Sequence, residues 1–490
     1  MLRCARTGTP ARQGCRQIPT LALGVLLIFV SGSGVFFQPV SNPARALGPS
    51  FEEPTIHVGS YPIGVAFDPV NNLLYVSNFG SNNISVINTS NDRVVAWIPT
   101  AYGVGPLAVD TATGVVYFGD AVLTVYGIDP FTNRIEWSIP LASAGCPSGC
   151  APEPQTYDTS NGDIYITDLS IDRVSVVHGS VAVGSIPVGT GPNGAAYDSA
   201  NGDIYVSNEG ASVPSINLTV IDGSSNLVVG QVAGSGGGPG VAYDSMNGEI
   251  FVCENGIQDG FSNVVTVVNG TSNQLVASIP ISTSCQAALY DPVDNYVYIT
   301  DRAAPGGRDQ SNVTLVDPTT NRIVLALPTQ LGPTGIAYDS SNHDVYVADS
   351  DTSNISILPQ IFRLTVHETG LPSGTNWSAT VGGTTVSSTA STITFPEVNG
   401  TFGYSIGRVA NQEPTPSSGS LTISNGPKEL NVTFSKGGGG GLLGLPGNTA
   451  YYVLVGIGAI AAILIAVFVV LARRKRRAKP PSGVSPGRAP

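Results

Sequence analysis

Residues 194–208 read GAAYDSANGDIYVSN, and this stretch decides the fold. An apolar run ends at Asp198, an Asn-Gly turn follows, and an alternating strand closes the unit. Asn-Gly between alternating apolar runs is a strong hairpin signal, because both turn residues tolerate a positive φ. The phrase recurs as Asp68-PVNNLLYVSN, Asp110-TATGVVYFGD, Asp158-TSNGDIYITD, Asp244-SMNGEIFVCE, Asp291-PVDNYVYITD and Asp339-SSNHDVYVAD. The aspartates lie 42, 48, 40, 46, 47 and 48 residues apart. Four-stranded propeller blades repeat every 40–50 residues or so. A third strand (LTVID, VTLVD) and a fourth (RVVAWIP, RIVLALP) complete each unit, with period-2 alternation of β-branched residues.

The seventh unit has no fourth strand after Ile355–Leu358. Thr55-Ile-His-Val58 stands before Gly59 as other fourth strands stand before their loops, so the amino-terminal segment is expected to close the ring. The expected fold is all-β: a seven-bladed β-propeller over 51–360, a small Ig-like β-sandwich over 361–436 and a single carboxy-terminal transmembrane helix. The sandwich is read from short alternating runs between Gly, Pro and Asn turns, with Trp377 and Phe395 as core residues.

The repeat motifs Tyr75-Val-Ser-Asn78, Tyr205-Val-Ser-Asn208, Tyr165-Ile-Thr-Asp168 and Tyr298-Ile-Thr-Asp301 resemble the YVTN-repeat β-propeller family. So do the Pro-x-Gly-x-x-x-Asp elements at Pro62–Asp68, Pro192–Asp198 and Pro333–Asp339. The second unit is shortened before Asp110, and the sixth has Cys285 in place of the proline. The resemblance implies a surface or periplasmic binding scaffold of the kind found on archaea, and no single reaction. The phrase ETGLPSGTNWSATVGG resembles a module of archaeal surface proteins that also occurs beside thermopsin-like secreted proteases.

Of 490 residues only 11% are charged, so the polar surface comes from Ser, Thr, Asn and Gly rather than from the Lys and Glu of a helical bundle. Five of the 22 basic residues lie in 1–46 and seven in 473–490, segments without an acid. The intervening chain carries the other ten against all 34 acids, which disfavours nucleic-acid binding. Ala450–Ala472 is uncharged and long enough to span a bilayer, and Arg473–Arg477 follow at once. The expected layout is a signal peptide at 1–46 (or an uncleaved anchor), a Gly-rich linker at 437–449, a transmembrane helix at 450–472 and a basic cytoplasmic tail at 473–490. That places a large amino-terminal part outside a cell membrane, anchored by a single pass. Nine sequons fall in this exterior: Asn83, Asn88, Asn217, Asn269, Asn312, Asn354, Asn376, Asn399 and Asn431.

The seven turn aspartates are expected to cap turn amides, since seven equivalent acids around a ring cannot form one active site. Cys146 and Cys150 could close the loop CPSGC, and Cys253 and Cys285 could join blades five and six. The four histidines, His57, His178, His343 and His367, lie on separate units, so neither a catalytic triad nor a zinc site is expected. No cofactor is expected; calcium at the acidic loop Asp349-Ser-Asp351 is the one alternative. The longest loops on one propeller face bring Glu209, Glu254, Asp259, Phe261, Arg302, Arg308 and Asp309 forward as ligand-binding candidates. The expected function is non-catalytic: adhesion, envelope scaffolding or capture of a protein or glycan partner at the cell envelope. The alternative is an exported lyase, lactonase or metal-assisted hydrolase working at the channel mouth.

Overall fold

The computed structural model describes residues 45–46, 54–120, 124–141, 153–210, 217–233, 237–254, 263–302 and 311–436. The expected signal peptide, apart from Arg45–Ala46, and the linker, transmembrane helix and basic tail lie outside these residues, as does the Cys146/Cys150 loop. Among the described residues no helix is long and apolar enough to cross a membrane.

Seven successive sheets form a β-propeller, each with four antiparallel strands. Their first strands are Pro62–Asp68, Leu107–Val109, Glu153–Tyr157, Pro192–Asp198, Val241–Asp244, Ser284–Asp291 and Pro333–Tyr338. Each contacts the first strand of the next blade, and Pro333–Tyr338 contacts Pro62–Asp68, so the inner strands make a closed ring. Thr55–His57 pairs antiparallel with Asn354–Ser356 and supplies the outer strand of blade seven. Arg45–Ala46 adds a parallel fifth strand outside Arg322–Pro328 of blade six.

Where glycine stands in an inner strand, the neighbouring blade approaches too closely for a side chain. Four positions before the turn aspartate stand Gly64, Pro106, Pro154, Gly194, Gly240, Ala287 and Gly335. A Cβ at Gly194 would lie 2.3 Å from the Pro239 carbonyl oxygen, and one at Gly335 2.5 Å from that of Ile63. This column sets how tightly neighbouring blades pack.

In blades one, three, four and seven a buried tyrosine of the second strand fastens one blade to the next. The Tyr75 hydroxyl donates to Asn133 Oδ1 (2.8 Å), Tyr165 to Asn226 (2.7 Å), Tyr205 to Asn273 (2.9 Å) and Tyr346 to Asp92 (3.1 Å). The last bond crosses the ring closure from blade seven to blade one. Each acceptor sits at left-handed φ in the turn between the third and fourth strands of the next blade, a conformation Asn and Asp tolerate. Blade five has Phe251 instead of tyrosine, and Asn321 Oδ1 in blade six is buried without a hydrogen-bond partner. Phe251→Tyr is therefore expected to raise stability by about 1 kcal/mol, measured as a higher denaturant midpoint at unchanged m-value.

The sandwich packs two four-stranded sheets around Leu364, Val366, Trp377, Ala379, Phe395, Val432 and Phe434. It is not wholly antiparallel, as the local turn pattern suggested. Phe362–Thr369 and Lys428–Lys436, its first and last strands, run parallel side by side, a long-range pairing that short turns cannot signal. Arg363 anchors it to blade six. The guanidinium donates to Asp317 (3.2 Å) and to the Asn295 carbonyl (2.6 Å), and stacks 4.5 Å from the Tyr296 ring centroid.

Candidate propeller-face site

The repeat places two rings of acidic or amide side chains at opposite ends of the blades. At one end, each turn aspartate accepts the backbone N–H two residues on, through Asp68, Asp110, Asp158, Asp198, Asp244, Asp291 and Asp339, at 2.7–2.9 Å. Seven repeats of one bond are a structural device, and they commit one oxygen of each carboxylate to its hairpin, while the other oxygen of Asp68, Asp158 and Asp339 is buried without a hydrogen-bond partner.

At the other end, the residue at or next to the end of each second strand falls in one ring: Asn78, Asp120, Asp168, Asn208, Asp301 and Asp349, all buried, with the half-buried Glu254. A third-strand hydroxyl meets most of them. Asn78 Nδ2 donates to Ser85 (2.8 Å) and Asn208 Nδ2 to Thr219 (2.9 Å), while Ser356 donates to Asp349 (2.7 Å) and Thr314 and Thr266 donate to Asp301 and Glu254. Loop glycines cover the ring: a Cβ on Gly59 would lie 2.6 Å from Asn78 Cγ, and one on Gly189 2.7 Å from Asn208 Cγ. Four sequons owe their hydroxyl residue to this scheme, since Ser85, Thr219, Thr314 and Ser356 are the Ser/Thr of the Asn83, Asn217, Asn312 and Asn354 motifs. Asn88 Oδ1 caps its own turn by accepting the Ser90 N–H, and Asn269 Oδ1 does the same with Ser272. Asn376, Asn399 and Asn431 are exposed on the sandwich.

Burial beneath the loops changes the acid chemistry. Desolvation pushes Asp301 and Asp349 up to about 7, opposed by the Thr314 and Ser356 hydroxyls. Glu153, at the start of blade three, is also pushed up to about 7 by desolvation and by the carboxylates of Glu209 and Asp168. These groups hold a proton more tightly folded than unfolded. Their contribution to stability is full below the unfolded carboxylate range near 4 and is lost as pH rises to 7. The melting temperature is thus expected to fall between pH 5 and pH 8. The repeat supplies the control, because Asn78 and Asn208 occupy the same position in blades one and four. Asp301→Asn with Asp349→Asn should raise the melting temperature at pH 8, leave it nearly unchanged at pH 5, and flatten the slope.

Of the seven ligand candidates three are described, Glu209, Glu254 and Arg302, and each meets its own partners. Glu209, in blade four, accepts from Asn193 and is raised in pKa mainly by desolvation. Glu254, in blade five, accepts from Thr266 of its own blade. Arg302, in blade six, turns toward the ring closure: its Nη2 donates to Asp351 (3.0 Å), its Nη1 reaches the Tyr61 hydroxyl (3.5 Å), and its guanidinium lies 5.9 Å from the Tyr61 ring centroid. Asp259, Phe261, Arg308 and Asp309 lie outside the described residues. Loop length did not single out Tyr61, Phe79 or Glu153, which sit on short loops or strand starts, and Asp351 stood out only as a calcium candidate.

Cys253 and Cys285 form a disulfide between blades five and six, with Cα atoms 5.6 Å apart, on this same face. Gly240 makes room for it, since a Cβ there would lie 2.5 Å from Cys253 Sγ. Of the Asp349-Ser-Asp351 loop, Asp349 accepts from Ser356 and Asp351 pairs with Arg302. The histidines remain apart: His57 meets Asn354, His178 Asp163, His343 Tyr338 and His367 Glu429. Among the described residues no three His, Cys, Asp or Glu side chains are grouped to hold a metal ion.

A model of the NHL repeat matches residues 331–358, which span much of blade seven. Among solved structures the chain is similar to Kuenenia stuttgartiensis hydrazine synthase, at 17% identity and a TM-score of 0.52, covering 62% of this chain and 97% of that one. It is also similar to a chain of a mitotic checkpoint complex, at 11% identity and a TM-score of 0.51, covering 68% and 98% respectively. At these identities the likeness is one of fold. No curated protein sequence matches.

Proposed function

We propose that this chain is a YVTN-type surface protein of the archaeal kind, a non-catalytic propeller held outside a cell by a single-pass anchor and binding envelope components. The observation that carries the reading is the Cys253–Cys285 bond inside the propeller, since disulfides persist in exported proteins and are rare in the cytosol. The charge-free stretch 450–472 with its basic flank supports the anchor. The exposed sequons Asn376, Asn399 and Asn431 are where a glycan would fit without disturbing the repeat. The commitment of the seven turn aspartates to backbone amides supports a scaffold rather than a reaction centre.

Surface labelling of intact cells tests the reading. A membrane-impermeant amine reagent should label Lys428 and Lys436 of the sandwich on intact cells, an external protease should release the propeller without lysis, and fractionation should leave the chain with the membrane. Recovery of the chain in the cytosol, with Cys253 and Cys285 as free thiols, would refute it. One observation favours the enzymatic alternative: the pKa of the buried Glu153 is raised to about 7 by desolvation and by the carboxylates of Glu209 and Asp168, as those of general acids often are. Hydrolytic or lyase turnover abolished by Glu153→Gln, with folding intact, would establish that alternative.

A further inference from the structure

Seven residues before the turn aspartate, blades two, four, five and seven carry glycine: Gly103, Gly191, Gly237 and Gly332. Gly191 and Gly332 are left-handed, at φ +67° and +77°. Blade one carries Tyr61 there, at φ +54°. The loop frame is otherwise shared. The Phe79 N–H donates to the Tyr61 carbonyl (3.0 Å) as the Glu209 N–H does to Gly191 (2.8 Å) and the Ser350 N–H to Gly332 (2.8 Å). The turn therefore gains nothing from a bulky side chain. A large residue held in a conformation that favours glycine points to a use for its ring.

The ring is 40% exposed and packs edge-on against Phe79, 50% exposed, with centroids 6.3 Å apart. Arg302 lies against it, tied to Asp351. Gly103 abuts the Phe79 ring, and its neighbour Tyr102 is 48% exposed. Small residues around the rings leave their faces open: Gly80 packs on Tyr61 Cβ, and Ser60 and Ser81 are joined beside them.

Three half-exposed aromatics offer roughly 300 Å², well short of the ~800 Å² per partner that a stable protein interface buries. The patch fits a small, flat ligand with an apolar face and a polar rim. A pyranose has both: its C–H face packs on an aromatic ring, and its hydroxyls can accept from Arg302 while donating to Asp351. The Asp351 carboxylate at the edge of the patch disfavours an anionic sugar.

We propose that Tyr61 and Phe79 form a stacking platform for a unit of a neutral saccharide, with Arg302 and Asp351 as its hydrogen-bonding edge. The proposal rests on the envelope-binding reading and names its ligand class. The test uses the full-length chain in detergent micelles, with mannotetraose, cellotetraose and chitotetraose titrated by calorimetry. At least one should bind. Tyr61→Gly and Phe79→Ala should each weaken binding about tenfold or more, and Tyr61→Gly should keep or raise the melting temperature, because glycine suits the backbone there. Absence of binding by all three sugars, or affinity that survives Tyr61→Gly, would overturn the proposal. Retention of both wild type and Tyr61→Gly on isolated cell envelopes would leave the envelope-binding reading standing and remove this site from it.

Discussion

Gly335→Val should destabilise the propeller by about 3 kcal/mol. A Cβ at Gly335 would sit 2.5 Å from the Ile63 carbonyl oxygen and 3.0 Å from the Val65 nitrogen. Both contacts are backbone atoms of blade one, so no side chain can swing aside. The two strands must separate at the seam where the ring closes. The damage should spread to the adjoining Tyr346–Asp92 and Thr334–Pro62 bonds across the same seam. Thermal denaturation reads the loss, and Gly403→Ala serves as control, since a Cβ there meets nothing within 4 Å. Equal effects of the two substitutions would show that inner-strand contact does not limit the ring.

The second large effect is expected at Arg363. Its partner Asp317 is 2% exposed, and Arg363→Ala would leave that carboxylate buried opposite no cation. Removing one member of a buried pair costs about 3–5 kcal/mol. Asp317 keeps the Thr319 N–H and the Thr394 hydroxyl, which places the expected loss near the lower end. The loss should fall on the docking of the sandwich rather than on either core. Calorimetry should therefore resolve two transitions in place of one, with new protease cleavage near residues 359–361. The double variant Arg363→Met, Asp317→Leu should recover most of the loss, because it removes the stranded charge as well.

Much of this architecture was readable in the residues because its signals are local. The Asp-turn-strand phrase carries its own hydrogen bond, so seven phrases gave seven hairpins, and the missing fourth strand after Leu358 pointed to Thr55–Val58. The parallel pairing of Phe362–Thr369 with Lys428–Lys436 joins segments some sixty residues apart, and no turn residue reports it. The face site was less legible. Loop length singled out Glu209, Glu254 and Arg302, yet contacts across the ring decide their surroundings, and Arg302 meets Tyr61 from the far end of the repeat. The raised pKa values of Asp301 and Asp349 come from their burial in the fold, whereas their spelling matches that of an exposed strand end. Aligning the units column by column sets Tyr61 against Gly103, Gly191, Gly237 and Gly332, with Ala151 and Ser284 in the other two blades, but its left-handed backbone is visible only in the fold.

The pairing of Thr55–His57 in blade seven has a mechanical consequence. Asn354–Leu358, the last propeller strand before the chain leaves for the sandwich, is hydrogen-bonded on both flanks, to Val345–Asp349 and to Thr55–His57. Tension arriving through Ile361 runs along that strand, so its bonds are loaded in shear and must break together instead of peeling one by one. The blade that closes the circle thereby meets a pull with two rows of bonds at once.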